Sequence, residues 1–351
     1  MKNILKRLKK TNCLSYYSFW IIIFLYFLAL FADFIAPYPY NQQFREYPLC
    51  PPVKIHFFDQ NKKFHLKPFI YEIKLVNPAL NQYEIVKDKI HPVYFFVKGE
   101  KRKIFGLFNS TIYLFGTKEG KIFLFGTDMH GRDIFSRILY GARISLSIGI
   151  IGVSISFFLG FLIGGISGYF GGKIDNILMR IVEIFMMFPA FYLMLSLRAI
   201  FPLNLSSFQI YLLIVVILSL IGWAGLARII RGMVLSIKEE EYVLAARALG
   251  IPTFKIIFRH IIPNTFSYSI TAITLSIPGY ILGESTLSLL GLGIQEPYPS
   301  WGNMLSVCIG NLRILTEAPW MLIPGFFIFL TIICFNFLGD GLRDVLDPKN
   351  W

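Results

Sequence analysis

Six apolar stretches decide what this chain can be. They run from about 16–36, 142–170, 181–201, 208–227, 265–292 and 320–338. A helix needs ~20 apolar residues to cross a hydrocarbon core about 30 Å thick, and each stretch meets or approaches that length. Lipid offers no hydrogen bonds, so a helix, which satisfies its own backbone, is the expected form. The expected fold is an all-α polytopic membrane protein with six transmembrane helices. Composition agrees: 55% of the 351 residues are hydrophobic and 16% charged. Soluble chains sit nearer about 45–50% and about 25%. A disordered chain, a collagenous chain and an ordinary cytosolic enzyme are excluded. Gly160, Gly164, Gly165, Pro189, Pro278, Gly283, Pro324 and Gly325 fall inside the stretches. In a membrane bundle small residues let helices approach closely, and neighbours re-satisfy freed backbone groups.

The first stretch follows the basic run KNILKRLKK. It is longer than the about 7–15 apolar residues of a cleaved signal, and Asp33-Phe34-Ile35-Ala36-Pro37 makes a poor cleavage site. It reads as an uncleaved first span. The net charge of +13 then reads as orientation. Lys2, Lys6, Arg7, Lys9 and Lys10 precede span one. Lys173 and Arg180 lie between spans two and three. Arg228, Arg231, Lys238, Arg247, Lys255 and Arg259 lie between spans four and five. The positive-inside rule places both termini and these loops in the cytoplasm. A basic excess distributed this way gives no ground for nucleic-acid binding. Trp301 and Trp320 read as interfacial anchors.

The chain therefore divides into residues 1–36 (N-terminus and helix 1), 37–125 (an extracytoplasmic insertion) and 126–351 (helices 2–6). The insertion is too long for a plain connector. IHFF, KFHLKPFIYEIKLV and HPVYFFV read as short strands, and IYLFGTKEGKIFLFG as a hairpin turning at Thr117–Gly120. A small strand-rich domain is expected. It carries 14 Lys and Arg against 7 Asp and Glu.

No catalytic constellation emerges. Gly116–Ile122 is one residue short of a phosphate loop and lacks its hydroxyl residue, so it reads as a turn. The five histidines are scattered, and Cys13, Cys50, Cys308 and Cys334 have no metal or dithiol spacing. Neither a metal site nor a cofactor is expected. A Cys50–Cys308 bridge stays open if both lie outside the membrane. Glu183 and Glu284 fall within or at the edge of spans, where ionisable groups are costly. Glu183 either lines the pathway or pairs with Arg180. Glu284 either serves the pathway or a subunit interface, or is a buried hydrogen-bonding group.

The most informative segment is the cytoplasmic loop 236–264, SIKEEEYVLAARALGIPTFKIIFRHIIPN. Ser236 and Glu239 fit a capping box, with Glu239, Glu240 and Glu241 in the first turn of a helix 239–249. Tyr242, Ala245, Ala246 and Leu249 share one face, small in the middle and bulky at its ends. Such a face suits insertion into a groove on another protein, or else lies on the lipid surface. Gly250 supplies a left-handed stop and Pro252 starts the next segment. That second helix puts Phe254, Ile257, Phe258 and Ile261 on one face and ends at Pro263.

This loop resembles the EAA loop of ABC-importer permeases in Ala245, Ala246, Gly250 and Ile262-Pro263, with Leu244 where the motif has Glu. FGTDMHGRDIFSRILYGARISLSIG, ESTLSLLGLGIQEPYPSWGNML and APWMLIPGFFIFLTIICFNFLGDGLRDVLDPK resemble signatures of dipeptide/oligopeptide permeases, nearest the C-type partner. The resemblance implies a type I importer permease in a bacterial inner membrane, not itself an enzyme. It implies as partners a second permease subunit, two cytoplasmic ATP-hydrolysing subunits and an external substrate-binding protein. The loop helix with Glu241, Tyr242, Ala245, Ala246, Leu249, Gly250 and Pro263 would couple to the ATPase subunits. Peptides are the expected substrate; a nickel complex is the alternative within the family, and a secondary transporter or channel the alternative outside it.

Overall fold

The structure is a computed structural model that describes residues 2–78, 80–104, 108–202, 205–311 and 313–346. A basic helix α1 (Lys2–Thr11) leads into α2 (Cys13–Leu30). Asn12 separates them, because its side-chain oxygen caps α2 by accepting from the N–H groups of Leu14 and Ser15. The short α3 (Ala32–Ile35) follows, and then the insertion.

The insertion holds one antiparallel sheet in the order β1 (His56–Phe58), β2 (Phe64–Asn77), β3 (Gln82–Ile104) and β4 (Phe108–Thr117). β3 pairs with β2 through residues up to Pro92 and with β4 from Val93 onward. Ile70, Val93 and Phe115 bury against Cys50, Val53, Ile122 and Phe123. The three predicted strand segments lie in this sheet, but the predicted hairpin does not form. Thr117–Gly120 does turn, with Thr117 Oγ1 donating to the Gly120 carbonyl at 3.0 Å. The next residues do not pair back on β4, because Ile122 and Phe123 are consumed by the core and the Ile122 N–H donates to Tyr38.

Helices occupy the rest: α4 (Ile134–Phe170), α5 (Gly172–Met187), α6 (Ala190–Ile200), α7 (Ser207–Ile237), α8 (Glu241–Ala248), α9 (Thr253–Ile256), α10 (Ile262–Leu289), α11 (Trp301–Gly310), α12 (Arg313–Glu317) and α13 (Ile323–Leu346). Among the described residues four helical runs are long and apolar enough to cross a membrane: Cys13–Leu30, Ile134–Phe170, Ser207–Ile237 and Pro319–Leu346. The expected span 181–201 falls on the pair α5 and α6, bent by 89°. Its break falls at Phe188-Pro189, since proline supplies no N–H and disfavours a helical residue before it. With that pair as one broken span the count is five. The expected span 265–292 is the 28-residue α10, which contains Pro278 and recurrent Ser and Thr and falls short of the apolarity of the others.

The chain forms two compact units, Met1–Ile22 with Ser147–Glu284 and Leu330–Trp351, and Ile23–Leu146 with Ser285–Phe329. In the first, α4 packs on α7 through a glycine seam. A Cβ at Gly160 would lie 2.9 Å from the Trp223 carbonyl oxygen, and one at Gly168 2.8 Å from that of Arg231. At Gly164 it would collide with the Ala227 carbonyl. This is the close backbone approach that small residues four apart permit. Gly165, expected to share the role, faces open space. Polar side chains add bonds between helices: Ser156 donates to the Ser219 carbonyl at 2.8 Å, and Tyr280 to Ser156.

Gly164→Ile should lower the thermal unfolding midpoint of the purified protein, by an overpacking penalty of about 1–3 kcal/mol or more. Gly165→Ile should leave it within experimental scatter. Differential scanning fluorimetry in detergent checks the contrast.

Candidate functional site

The loop 236–264 is built on the end of α7. That helix runs to Ile237, so Ser236 is in its last turn and cannot cap the next one. α8 starts at Glu241, with Glu240 at the N-cap and no side chain capping it, and only Glu241 lies in its first turn. The predicted capping box is therefore absent, because α7 extends beyond its apolar stretch. Val243 and Ala246 bury against Ile230, Val234, Ile256 and Ile261. Tyr242, Ala245 and Leu249 point outward and are exposed, Leu249 by 80%. Leu244, in the place of the motif's Glu, is also exposed. The predicted face thus divides: Ala246 holds the helix down, and the other three present an apolar surface.

Gly250 ends α8 at φ +72°. Its N–H donates to the Arg247 carbonyl at 2.9 Å, and that of Ile251 to Ala246 at 3.1 Å. These two bonds and the contact of Ile251 with the same apolar cluster make a complete Schellman stop. Side chains fix the other side of α8. Asn264 Nδ2 donates to the Tyr242 hydroxyl at 3.0 Å, and Arg247 lies over the Tyr169 ring at 4.9 Å.

The segment after Gly250 departs from expectation. α9 passes into a π-helical turn, Ile257–Ile261, and then directly into α10. Pro263 does not end a helix; it sits in the first turn of α10. A proline needs the carbonyl four residues back to be displaced, and the widened turn just before it provides that. Ile261 is buried, while Phe254 and Phe258 turn outward with their ring centroids 4.4 Å apart.

Two charge clusters escaped sequence reading. At the start of α5, Asp175 accepts from Arg231 Nε and Nη2 of α7, both at 2.5 Å, and from Ser167 of α4. The second cluster lies in the second unit. Arg132 Nε donates to Asp128 at 2.7 Å, and its two terminal nitrogens reach both Glu296 oxygens at 2.5 and 3.0 Å. Arg137 Nη2 adds a bond to Glu296 at 2.8 Å. Both guanidinium groups are buried, 5% and 2% exposed, and Asp128 is 7% exposed. Burial opposes ionising Glu296, yet Arg137 and Arg132 hold its carboxyl below the ordinary value of 4.5. Asp133 next to this cluster caps α4, accepting from the Ser136 N–H at 2.8 Å and hydroxyl at 2.6 Å. Its complete burial pushes its carboxyl up to about 7.

The remaining expectations resolve individually. Glu183 pairs with Arg180 at 2.8 Å, and both are exposed. Glu284 is fully buried in α10. Trp301 is no interfacial anchor: it is fully buried, and its indole donates to the Ile138 carbonyl at 3.1 Å. Trp320 donates to the Thr127 carbonyl, also at 3.1 Å. Cys50 and Cys308 are buried free thiols. Among the described residues no His, Cys, Asp and Glu group could hold a metal ion.

The charge cluster generates two predictions. Asp128→Ala leaves buried guanidinium groups short of a partner and should cost about 3–5 kcal/mol. Glu296→Ala should cost less, since Glu296 is 45% exposed and solvent screens its loss. Urea or thermal unfolding of the purified protein ranks them. The carboxyls titrate with opposite sign. The stabilisation from Glu296 is present above its ordinary value of 4.5 and is lost as pH falls through the lower folded value. Asp133, raised from 3.8 to about 7, makes stability fall as pH rises across that window. Asp133→Asn should keep the cap and remove that fall, as a pH series of unfolding midpoints will read.

The chain as a whole is similar to known proteins. A family model described as "Binding-protein-dependent transport system inner membrane component" matches residues 160–351. One described as "N-terminal TM domain of oligopeptide transport permease C" matches residues 1–52. The oligopeptide transport system permease protein OppC of Haemophilus influenzae is 48% identical over 64% of this chain and 69% of its own. The dipeptide transport system permease protein DppC of Bacillus subtilis is 47% identical over 80% of this chain and 79% of its own. The glutathione transport system permease protein GsiD of Pectobacterium atrosepticum is 40% identical over 63% of this chain and 71% of its own. A match of this extent at both ends shows that the chain belongs to the family of binding-protein-dependent transport inner membrane components, as an OppC/DppC-type permease of an oligopeptide/dipeptide ABC transporter.

Proposed function

We propose that this permease moves peptides inward across a bacterial inner membrane, and that α8 is the element through which separate ATP-hydrolysing subunits drive it. The observation that carries this reading is the outward apolar face of Tyr242, Ala245 and Leu249 on a helix held at both ends. A helix laid in a groove of a partner needs a small centre and larger flanks, and transmission needs it fixed to the spans behind it. α8 has both properties: Ala246 and Val243 anchor it on α7, and Asn264 ties Tyr242 to α10.

The rest of the assignment follows the family pattern. Six membrane crossings, counting α5–α6 and α10 as one each, leave both termini and the loop 236–264 in the cytoplasm. The insertion 37–125 then faces outward, where an external binding protein delivers substrate. A second permease subunit completes the pathway. Transport is an alternation between two states biased by closure of the ATPase subunits. Glutathione, the cargo named for one relative, is itself a peptide, which favours a peptide over a nickel complex here.

Ala245→Arg puts a charged side chain at the centre of the docking face and should abolish co-purification of the ATPase subunits and ATP-driven uptake in proteoliposomes. Gly250→Ala strains the left-handed position by about 1 kcal/mol and should weaken both without abolishing them. Retention of bound ATPase subunits with full uptake in Ala245→Arg would overturn the coupling assignment. Uptake of a nickel chelate but of no labelled di- or oligopeptide would overturn the substrate.

A further inference from the structure

The insertion contains a cavity of about 220 Å³ that neither peptide transport nor ATPase coupling accounts for. Its wall includes Lys98 and Arg102 of β3, Lys118 and Lys121 of the turn after β4, and Tyr38 and Tyr113. Among the described residues no acidic side chain lines it, and none of these four cations is in an ion pair. Aromatic rings stand where carboxylates would be expected. Arg102 lies over Tyr113 at 4.0 Å, Lys118 over Tyr94 at 5.1 Å and Lys121 over Phe44 at 4.9 Å. Arg102 Nε is buried without a hydrogen-bond partner among the described residues. Four cationic residues border one cavity with no acidic lining residue among those described, a local excess of positive charge that favours an anion.

The position of the cavity says which anion. Pro37, Tyr38 and Pro39 form part of its wall and follow directly on α3, at the end of the first span. Arg102 joins the two parts, donating through Nη1 to the Ala36 carbonyl at 2.8 Å and through Nη2 to that of Pro37 at 3.1 Å. The cavity therefore opens within a few residues of the point where the chain leaves the hydrocarbon. Beside it, Phe95 and Phe96 are 62% and 66% exposed. Neighbours on a strand normally face opposite ways. Phe96 has φ +56°, which breaks that alternation, and its ring lies 6.3 Å from that of Phe34 in α3. An aromatic residue held in a strained conformation, exposed, and packed against the end of a span suits the bilayer interface.

We propose that this cavity holds the phosphate of an anionic phospholipid, with Phe95 and Phe96 inserted beside it among the acyl chains. The insertion is thereby seated on the leaflet, which is the outer one under the orientation proposed above. Lys98, Lys118 and Lys121 supply the charge, and Arg102 fixes the floor of the site to the end of the span.

The test uses the full-length permease in its purified complex, with bound lipid counted by native mass spectrometry. Phosphatidylglycerol and phosphatidylcholine are added in separate titrations. The wild type should retain phosphatidylglycerol in preference. The triple variant K98Q/K118Q/K121Q should lose that retention by about tenfold or more, and K98R/K118R/K121R should keep it. Arg102 is left intact because it holds backbone carbonyls. Undiminished phosphatidylglycerol in the Gln variant overturns the site. Inorganic phosphate or glycerol 3-phosphate displacing the lipid at equal concentration overturns its membrane origin. Loss of an external binding protein with an unchanged lipid count overturns it in favour of a protein partner. Lipid counting needs no transport, so a failure of the uptake reading would leave this result intact.

Discussion

A bilayer core supplies no hydrogen bonds, and most of this structure follows from that constraint. Backbone groups must be satisfied within helices, so the long apolar stretches become helices and little else. Side-chain hydroxyls inside the bundle must also find partners, and Ser156, Ser219 and Tyr280 do so on neighbouring helices. Without a hydrophobic drive between helices in lipid, contact area has to come from close approach. The glycines of α4 at 160, 164 and 168 meet the backbone of α7 for this reason.

Charge is handled by segregation. The Asp175–Arg231 pair ties α5 to α7 on the side of the loop 236–264, and the Asp128–Arg132–Arg137–Glu296 group ties the start of α4 to the segment after α10. In both, a guanidinium meets a carboxylate through two bonds, which fixes orientation as well as distance. Two segments far apart in sequence therefore become one site in space, the GTDMHGRDIFSR stretch contributing both cations and Asp128, and the QEP stretch the second carboxylate.

What the sequence made legible followed from local physics. Apolar length marked most of the spans, and Gly250 marked a helix end, because a left-handed residue there strongly favours glycine. The face of Tyr242, Ala245 and Leu249 followed from helical period. The start of α8 was illegible, since α7 ran on through a plausible cap at Ser236. The 121–125 strand failed because Ile122 and Phe123 had a better place under the sheet. Glu296 was missed because its partner Arg132 is 164 residues away and no local pattern encodes such a pair. The usable signal was that each signature carried charges which its own segment did not neutralise.

The π-helical turn at Ile257–Ile261 has a consequence for alignment between α9 and α10. A widened turn inserts one residue, and one residue is about 100° of helical phase. The pattern read upstream of residue 257 thus cannot be continued downstream without an offset. Removing a single residue there would restore regular winding but rotate α10 by that angle. Its fully buried Glu284 would swing off its present side. The bulge is therefore a phase correction that lets one continuous rod keep two differently aimed faces.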